Sequence, residues 1–202
     1  MTLRVILGLS LCVWLAACGR PGDHPGKETP MAPRRTCSDR IRALFVDGDL
    51  SAGEGLATGC TRADVEAALG TAGTPASGRL SAVFYQITEY KVAGQKWPVR
   101  VWWGHGGDVL AIEAAEPHIA GSIDDALARL GAPDAELPPR DFLSRVELVY
   151  AKRGLTLAVG SMGEARKPGE LVRHLWAYAP TTAEDWTRRL GGQDLPSQPM
   201  PR

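Results

Sequence analysis

Three segments of this sequence share the pattern Ser/Thr-x-x-Asp-x-x-x-x-Leu-Gly, and they recur at nearly constant spacing. They run from Thr61 to Gly70, Ser122 to Gly131 and Thr182 to Gly191, with starts 61 and then 60 residues apart. The hydroxyl residue suits a helix N-cap, where its oxygen accepts a backbone N–H bond. The Asp three residues later completes a capping box and favours the positive helix N-terminus. The Gly suits the left-handed conformation that ends a helix. The spacing predicts three short helices within an internally repeated chain.

Strand signals lie between these helices. Segments 82–90, 99–103 and 109–115 are rich in β-branched and aromatic residues, as are 146–150, 155–159 and 171–178. The expected class is therefore α+β, with two tandem units, each a short helix followed by three antiparallel strands. An extra helix at about Ser38–Val46 precedes them, with Ile41, Leu44 and Phe45 on one apolar face. The third capped segment is expected to act as a terminal capping helix. The expected organisation is 37–117 for the first unit and 118–191 for the second with its terminal helix. A Gly- and Pro-rich tether at 18–36 and a tail at 192–202 have too few large apolar residues to pack a core.

The N-terminus reads as a secretory signal. Arg4 precedes an apolar run from Val5 to Ala17 that is too short to span a bilayer. The run ends in Leu15-Ala16-Ala17-Cys18, which resembles the lipobox of bacterial lipoprotein precursors. That resemblance implies cleavage of segment 1–17, diacylglyceryl attachment at Cys18 and a membrane anchor. The residue after it is Gly19, not the Asp that favours inner-membrane retention in enteric-type sorting, so the resemblance implies the outer membrane, facing the periplasm. The chain after Cys18 carries 22 basic and 23 acidic residues, which offers no basic footprint for nucleic acid. Cys37 and Cys60 remain once Cys12 and Cys18 are set aside, an even number for an oxidising space. They are expected to form a disulfide worth roughly 3 kcal/mol in the chain-entropy account; two free thiols are the alternative.

A second resemblance attaches to the capped helices. Gly59-Cys60-Thr61-Arg62-Ala63-Asp64-Val65 followed by Leu69-Gly70 resembles the opening of small outer-membrane lipoproteins of the SmpA/BamE type. Leu130-Gly131-Ala132-Pro133 fits the end of that motif. A tandem of such units is similar in architecture to the β-lactamase inhibitory proteins, and that likeness implies partner binding on a sheet surface.

No catalytic signature emerges. His24, His105, His118 and His174 are not spaced as metal ligands, and neither a Gly-x-Ser-x-Gly element nor a phosphate loop is present. Neither a metal nor a cofactor is expected. Gly104 to Gly107 reads as a hairpin turn, and Asp64, Asp125 and Asp185 read as caps. Tryptophan is the unusual feature. In Val99–Trp103, strand alternation puts Val99, Val101 and Trp103 on one face and Arg100 and Trp102 on the other. Burying the first set spares Arg100 a costly desolvation. Phe84, Tyr90, Arg100 and Trp102 are then expected to cluster on the open face as a partner-binding surface. The competing reading has these rings filling the junction between two sheets. The leading functional expectation is a non-enzymatic interaction module that binds another envelope or secreted protein as an assembly factor, inhibitor or immunity-type protein. An envelope enzyme or small-ligand binder using His105 or His174 is the alternative.

Overall fold

The computed structural model describes residues 35–70, 73–80, 83–119, 121–139, 142 and 144–189. Cys18, the signal segment 1–17, nearly all of the tether at 18–36 and the tail at 192–202 lie outside them. The elements run α1 (Cys37–Phe45), α2 (Arg62–Leu69), β1 (Thr74–Leu80), β2 (Val83–Tyr90), β3 (Val99–Trp103), β4 (Val109–Ala115), α3 (Ile123–Leu130), β5 (Ala135–Leu137), β6 (Val146–Tyr150), β7 (Leu155–Val159), β8 (Val172–Tyr178) and α4 (Ala183–Arg189), with short 3-10 turns at Leu50–Gly53 and Ala151–Arg153.

The helices begin where the capping boxes stand. Thr61 Oγ1 accepts from Asp64 N while the Asp64 carboxylate takes the Thr61 N–H at 2.9 Å. Ser122 and Asp125 repeat this at α3, and Thr36 and Asp39 at α1. Gly70 closes α2 at a φ of 75°, a left-handed value that a side chain would strain. Buried residues of α1, α2 and α3 share one core with one face of the sheet, including Tyr90, Val99, Val101 and Trp103. Arg62, at the first turn of α2, lies over the Trp103 ring at 4.2 Å, a cation–π contact that pins the helix start to the sheet.

Cys37 and Cys60 are joined by a disulfide with Cα atoms 5.7 Å apart. Each stands at or just before a helix start, so the bridge ties the α1 and α2 N-termini together.

The strands do not form two tandem three-stranded units. They make one eight-stranded antiparallel sheet in the order β1-β2-β3-β4-β8-β7-β6-β5. The chain is thus largely β with four short helices, and the tandem helix-plus-three-strand expectation is corrected on two counts. Each half contributes four strands, and β4 pairs with β8, so the halves share one sheet. The two strands that the sequence pattern omits, β1 and β5, are the sheet's two edges. β1 reads Thr-Pro-Ala-Ser-Gly-Arg-Leu and is mostly exposed, while β5 has three residues. Edge strands of this kind carry Pro, Gly and polar residues in place of apolar alternation.

The terminal helix also differs from expectation. A third unit would place α4 beside α2 and α3, but α4 packs on the opposite face of the sheet. Its Trp186 is buried in a second cluster with Leu80, Ile87, Trp102, Val149, Trp176 and Tyr178. The Trp186 ring stacks on Tyr178 with centroids 4.1 Å apart.

Two predictions arise from the fold. The hydroxyl and backbone bonds from Thr36, Thr61 and Ser122 hold the carboxyls of Asp39, Asp64 and Asp125 below the usual Asp range. Depressed carboxyls contribute stability that is complete above the unfolded-state value and is lost as pH falls through the folded-state value. The melting temperature is therefore expected to fall below about pH 4. A Asp39→Asn, Asp64→Asn, Asp125→Asn variant should show a shallower acid limb in thermal melts; an unchanged limb would remove the caps from the account. Replacing both Cys37 and Cys60 with Ala should lower unfolding free energy by about 3 kcal/mol in denaturant titration. Equal stability with and without the bridge would show that it constrains nothing.

Candidate functional site on the sheet face away from the three helices

The site grows from one cross-strand row. Pairing sets Glu89 on β2 beside Arg100 on β3, Arg100 beside Glu113 on β4, and Glu113 beside Trp176 on β8. Directly opposed residues of an antiparallel sheet put their side chains on the same face. This row therefore projects away from α1, α2 and α3, and the His174 ring joins it from the neighbouring position on β8, opposite Ala115.

Glu113 is the centre. Its side chain is 2% exposed, so its charge needs partners. Trp102 donates Nε1–H to Oε2 at 2.7 Å, and His174 Nε2 lies 2.8 Å from Oε1. Arg100 adds a charge partner, with one guanidinium nitrogen 3.7 Å from Oε1, while its Nε donates to Glu89 at 2.9 Å. The row alternates in sign, and the half-exposed Arg100 is held between two carboxylates. Bonds to an ionised group are shorter and stronger than neutral ones, so this network fixes its members in place.

Aromatic rings frame the network. His174 stacks on Trp176 with centroids 5.5 Å apart, and Trp176 lies 5.7 Å from Trp102. Tyr85 meets Trp102 edge-on and stacks with His105, which stands in the β3–β4 turn. A small cleft of about 200 Å³ adjoins the row, lined by Trp97, Pro98, Arg100, Glu113 and Ala115.

The geometry constrains the chemistry. A histidine oriented by a carboxylate is two-thirds of a nucleophile-activating triad. No hydroxyl or thiol completes it, since among the described residues His174 bonds only to Glu113. The cleft is smaller than the roughly 300–1,000 Å³ usual for small-molecule sites, and a hollow of about 450 Å³ beside Lys91, Gln95 and Lys96 shares Trp97 and Pro98 with it. Among the described residues no group of three or more His, Cys, Asp or Glu side chains is arranged to hold a metal ion. No described helix is long and apolar enough to cross a membrane.

The four residues expected to form one open cluster are dispersed. Val99, Val101 and Trp103 do face the helices, but Tyr90 pairs with Val99 and is buried among them. Trp102 does face the other way, yet α4 and its neighbouring rings leave it only 3% exposed. Phe84 shares the alternation of Tyr90 and stands 71% exposed near the β1–β2 hairpin. Only Arg100 remains at a polar, solvent-reached site. The error lies in register. Alternation within β2 was legible, but Tyr90↔Val99 pairing sets which half of β2 joins which half of β3. Glu113 shows in the sequence only as a lone carboxylate inside the apolar run Val-Leu-Ala-Ile-Glu-Ala-Ala. An acid in such a run is rarely buried without a partner.

No known family, curated protein or solved structure matches this chain. The likenesses to lipoproteins and inhibitory proteins accordingly rest on the motifs quoted above.

Trp102 now carries a structural prediction. Trp102→Ala should destabilise the protein by about 3–5 kcal/mol, because it empties part of the second core and removes a donor from buried Glu113. Urea unfolding with a loss under about 1 kcal/mol would place Trp102 outside the core.

Proposed function

We propose that this chain is a lipid-anchored, non-enzymatic interaction module of the bacterial cell envelope, and that it engages another envelope or secreted protein through the solvent-reached part of the β2–β3 face around Glu89 and Arg100. The observation that carries the reading is Arg100, half exposed beside the Trp97 cleft and fixed by Glu89 and buried Glu113. Arg and Trp side chains held rigid at a surface lose little freedom on binding and are enriched among interface hot spots. The lipobox supports the anchor, and the Cys37–Cys60 bridge fits an oxidising compartment.

A second reading rests on one observation, the His174–Glu113 contact at 2.8 Å. On that reading the face binds and transforms a small ligand, with His174 as proton acceptor. His174→Gln would then abolish turnover, whereas an interaction surface tolerates it with a modest change in affinity.

The test is photo-cross-linking in intact cells with p-benzoyl-phenylalanine in place of Tyr85, on the same face of β2 as Glu89, and in place of Arg129, on the outside of α3. The Tyr85 position should capture one protein that the Arg129 position does not. An added Arg100→Lys change should reduce capture at least about tenfold, since a lysine cannot reproduce the guanidinium fork. Equal capture from both positions, or capture indifferent to Arg100→Lys, would contradict the interface. The anchor is tested separately: Cys18→Ala should release the protein from the membrane fraction or leave its precursor uncut, and unchanged fractionation and maturation would sink it.

A further inference from the structure

The two oxygens of the Glu113 carboxylate are used unequally. Oε2 accepts the Trp102 indole N–H at 2.7 Å, while Oε1 serves both His174 Nε2 at 2.8 Å and the outer end of the Arg100 guanidinium at 3.7 Å. The charge on His174 therefore bears on how firmly Arg100 is held. With a neutral ring, Glu89, Arg100, Glu113 and His174 carry two negative charges and one positive; with a protonated ring they balance.

The geometry says where the proton goes. Nε2 faces a carboxylate oxygen and carries a hydrogen in either charge state of the ring. The exchanging proton is the one on Nδ1, which makes no hydrogen bond among the described residues. The His174 side chain is 19% exposed against 2% for Glu113, so water reaches the ring while the carboxylate stays dry.

Glu113 is the charged group in contact with this ring among the described residues. Trp176 stacks on it from β8, and Ala115 on β4 and Ala158 on β7 stand opposite it. Glu147 on β6 lies beyond Ala158 in the same cross-strand row. Arg173, the preceding residue, sits at a bulge and acts on Glu116 and Arg145. Lys96 pairs with Glu116, and on α4 Arg188 pairs with Glu184 and Asp185.

We propose that proton uptake at His174 Nδ1 releases the outer end of Arg100 from Glu113 and frees it to take a carboxylate of the partner. A protonated ring bonds Oε1 more strongly than a neutral one does. Arg100 then faces a neutralised pair in place of an anion, while its Nε–H stays on Glu89 at 2.9 Å. A guanidinium tied at one nitrogen and open at its fork suits a carboxylate. Acidification thus favours an acidic contact on the partner. The proposal rests on the reading of this surface as an interface and adds its regulation.

Nitrogen-15 NMR of the mature chain, labelled at arginine, histidine and tryptophan, follows the whole network. Imidazoles exchange their proton between about pH 5 and 8. Across that range the His174 ring nitrogens, the Arg100 Nε–H and the Trp102 Nε1–H should shift with one shared midpoint. Arg100→Lys assigns the arginine signal. His174→Gln, which keeps a donor toward Glu113, should abolish the Arg100 shift; a shift that persists in the folded variant overturns the proposal. If that variant does not fold, the parent decides, since an Arg100 signal that is flat, or that moves with a different midpoint from His174, is equally fatal. No partner is needed, so the result is separable from capture at Tyr85. Flat resonances alongside a captured protein overturn the switch and leave the interface standing. A shared midpoint without capture upholds the release of Arg100 and contradicts the interface.

Discussion

The pairing of β4 with β8 is the constraint from which the rest of the architecture follows. It joins strands from the two halves of the chain, Ala111 through Ala115 against Tyr178 back to His174. Without it, each half would expose an edge of unpaired N–H and C=O groups, a costly and association-prone arrangement. With it, the exposed edges move outward to β1 and β5, which are irregular or short. The same pairing brings Glu113 beside Trp176 and His174 beside Ala115, so the polar network and the sheet's continuity arise from one seam.

The two faces of the sheet solve different problems. One is covered by α1, α2 and α3 over an aliphatic core. The other is covered only in part, by α4 and a cluster of Trp and Tyr rings. The remainder holds part-exposed Glu89 and Arg100 beside buried Glu113. Burying Glu113 costs desolvation, and hydrogen bonds with Trp102 and His174 together with the nearby Arg100 charge offset it. That demand makes the positions of Arg100, Trp102 and His174 interdependent. A surface whose polar groups are already oriented by the fold spends less on ordering when it meets a partner.

Much of this was legible in the sequence, and the failures have physical causes. Capping boxes announced α2 and α3 because their hydrogen bonds are local, formed within four residues, and the apolar face of Ile41, Leu44 and Phe45 announced α1. Strands β2, β3, β4, β6, β7 and β8 announced themselves through apolar and aromatic content. Strand β1 did not, since an edge strand buries little and keeps Pro75 and Gly78. The placement of α4 on the opposite face was equally hidden, because a capped helix carries no mark of the surface it will meet. The candidate site was half legible. Arg100 was singled out, and desolvation correctly kept it out of the helix-side core. Its companions were misassigned because alternation within a strand fixes two faces without fixing which faces of neighbouring strands coincide. Register across β2, β3 and β4 decides that, and register is a long-range property.

Native-state amide hydrogen exchange tests the central claim most directly, because it reports how the seam opens. If β4 and β8 hold the two halves in one sheet, their amides exchange only through global unfolding, and they share a single opening free energy with β3 and β7. Early exchange at Ala111–Ala115 and Leu175–Tyr178, with each half keeping its own separate protection, would contradict a sheet built on that pairing.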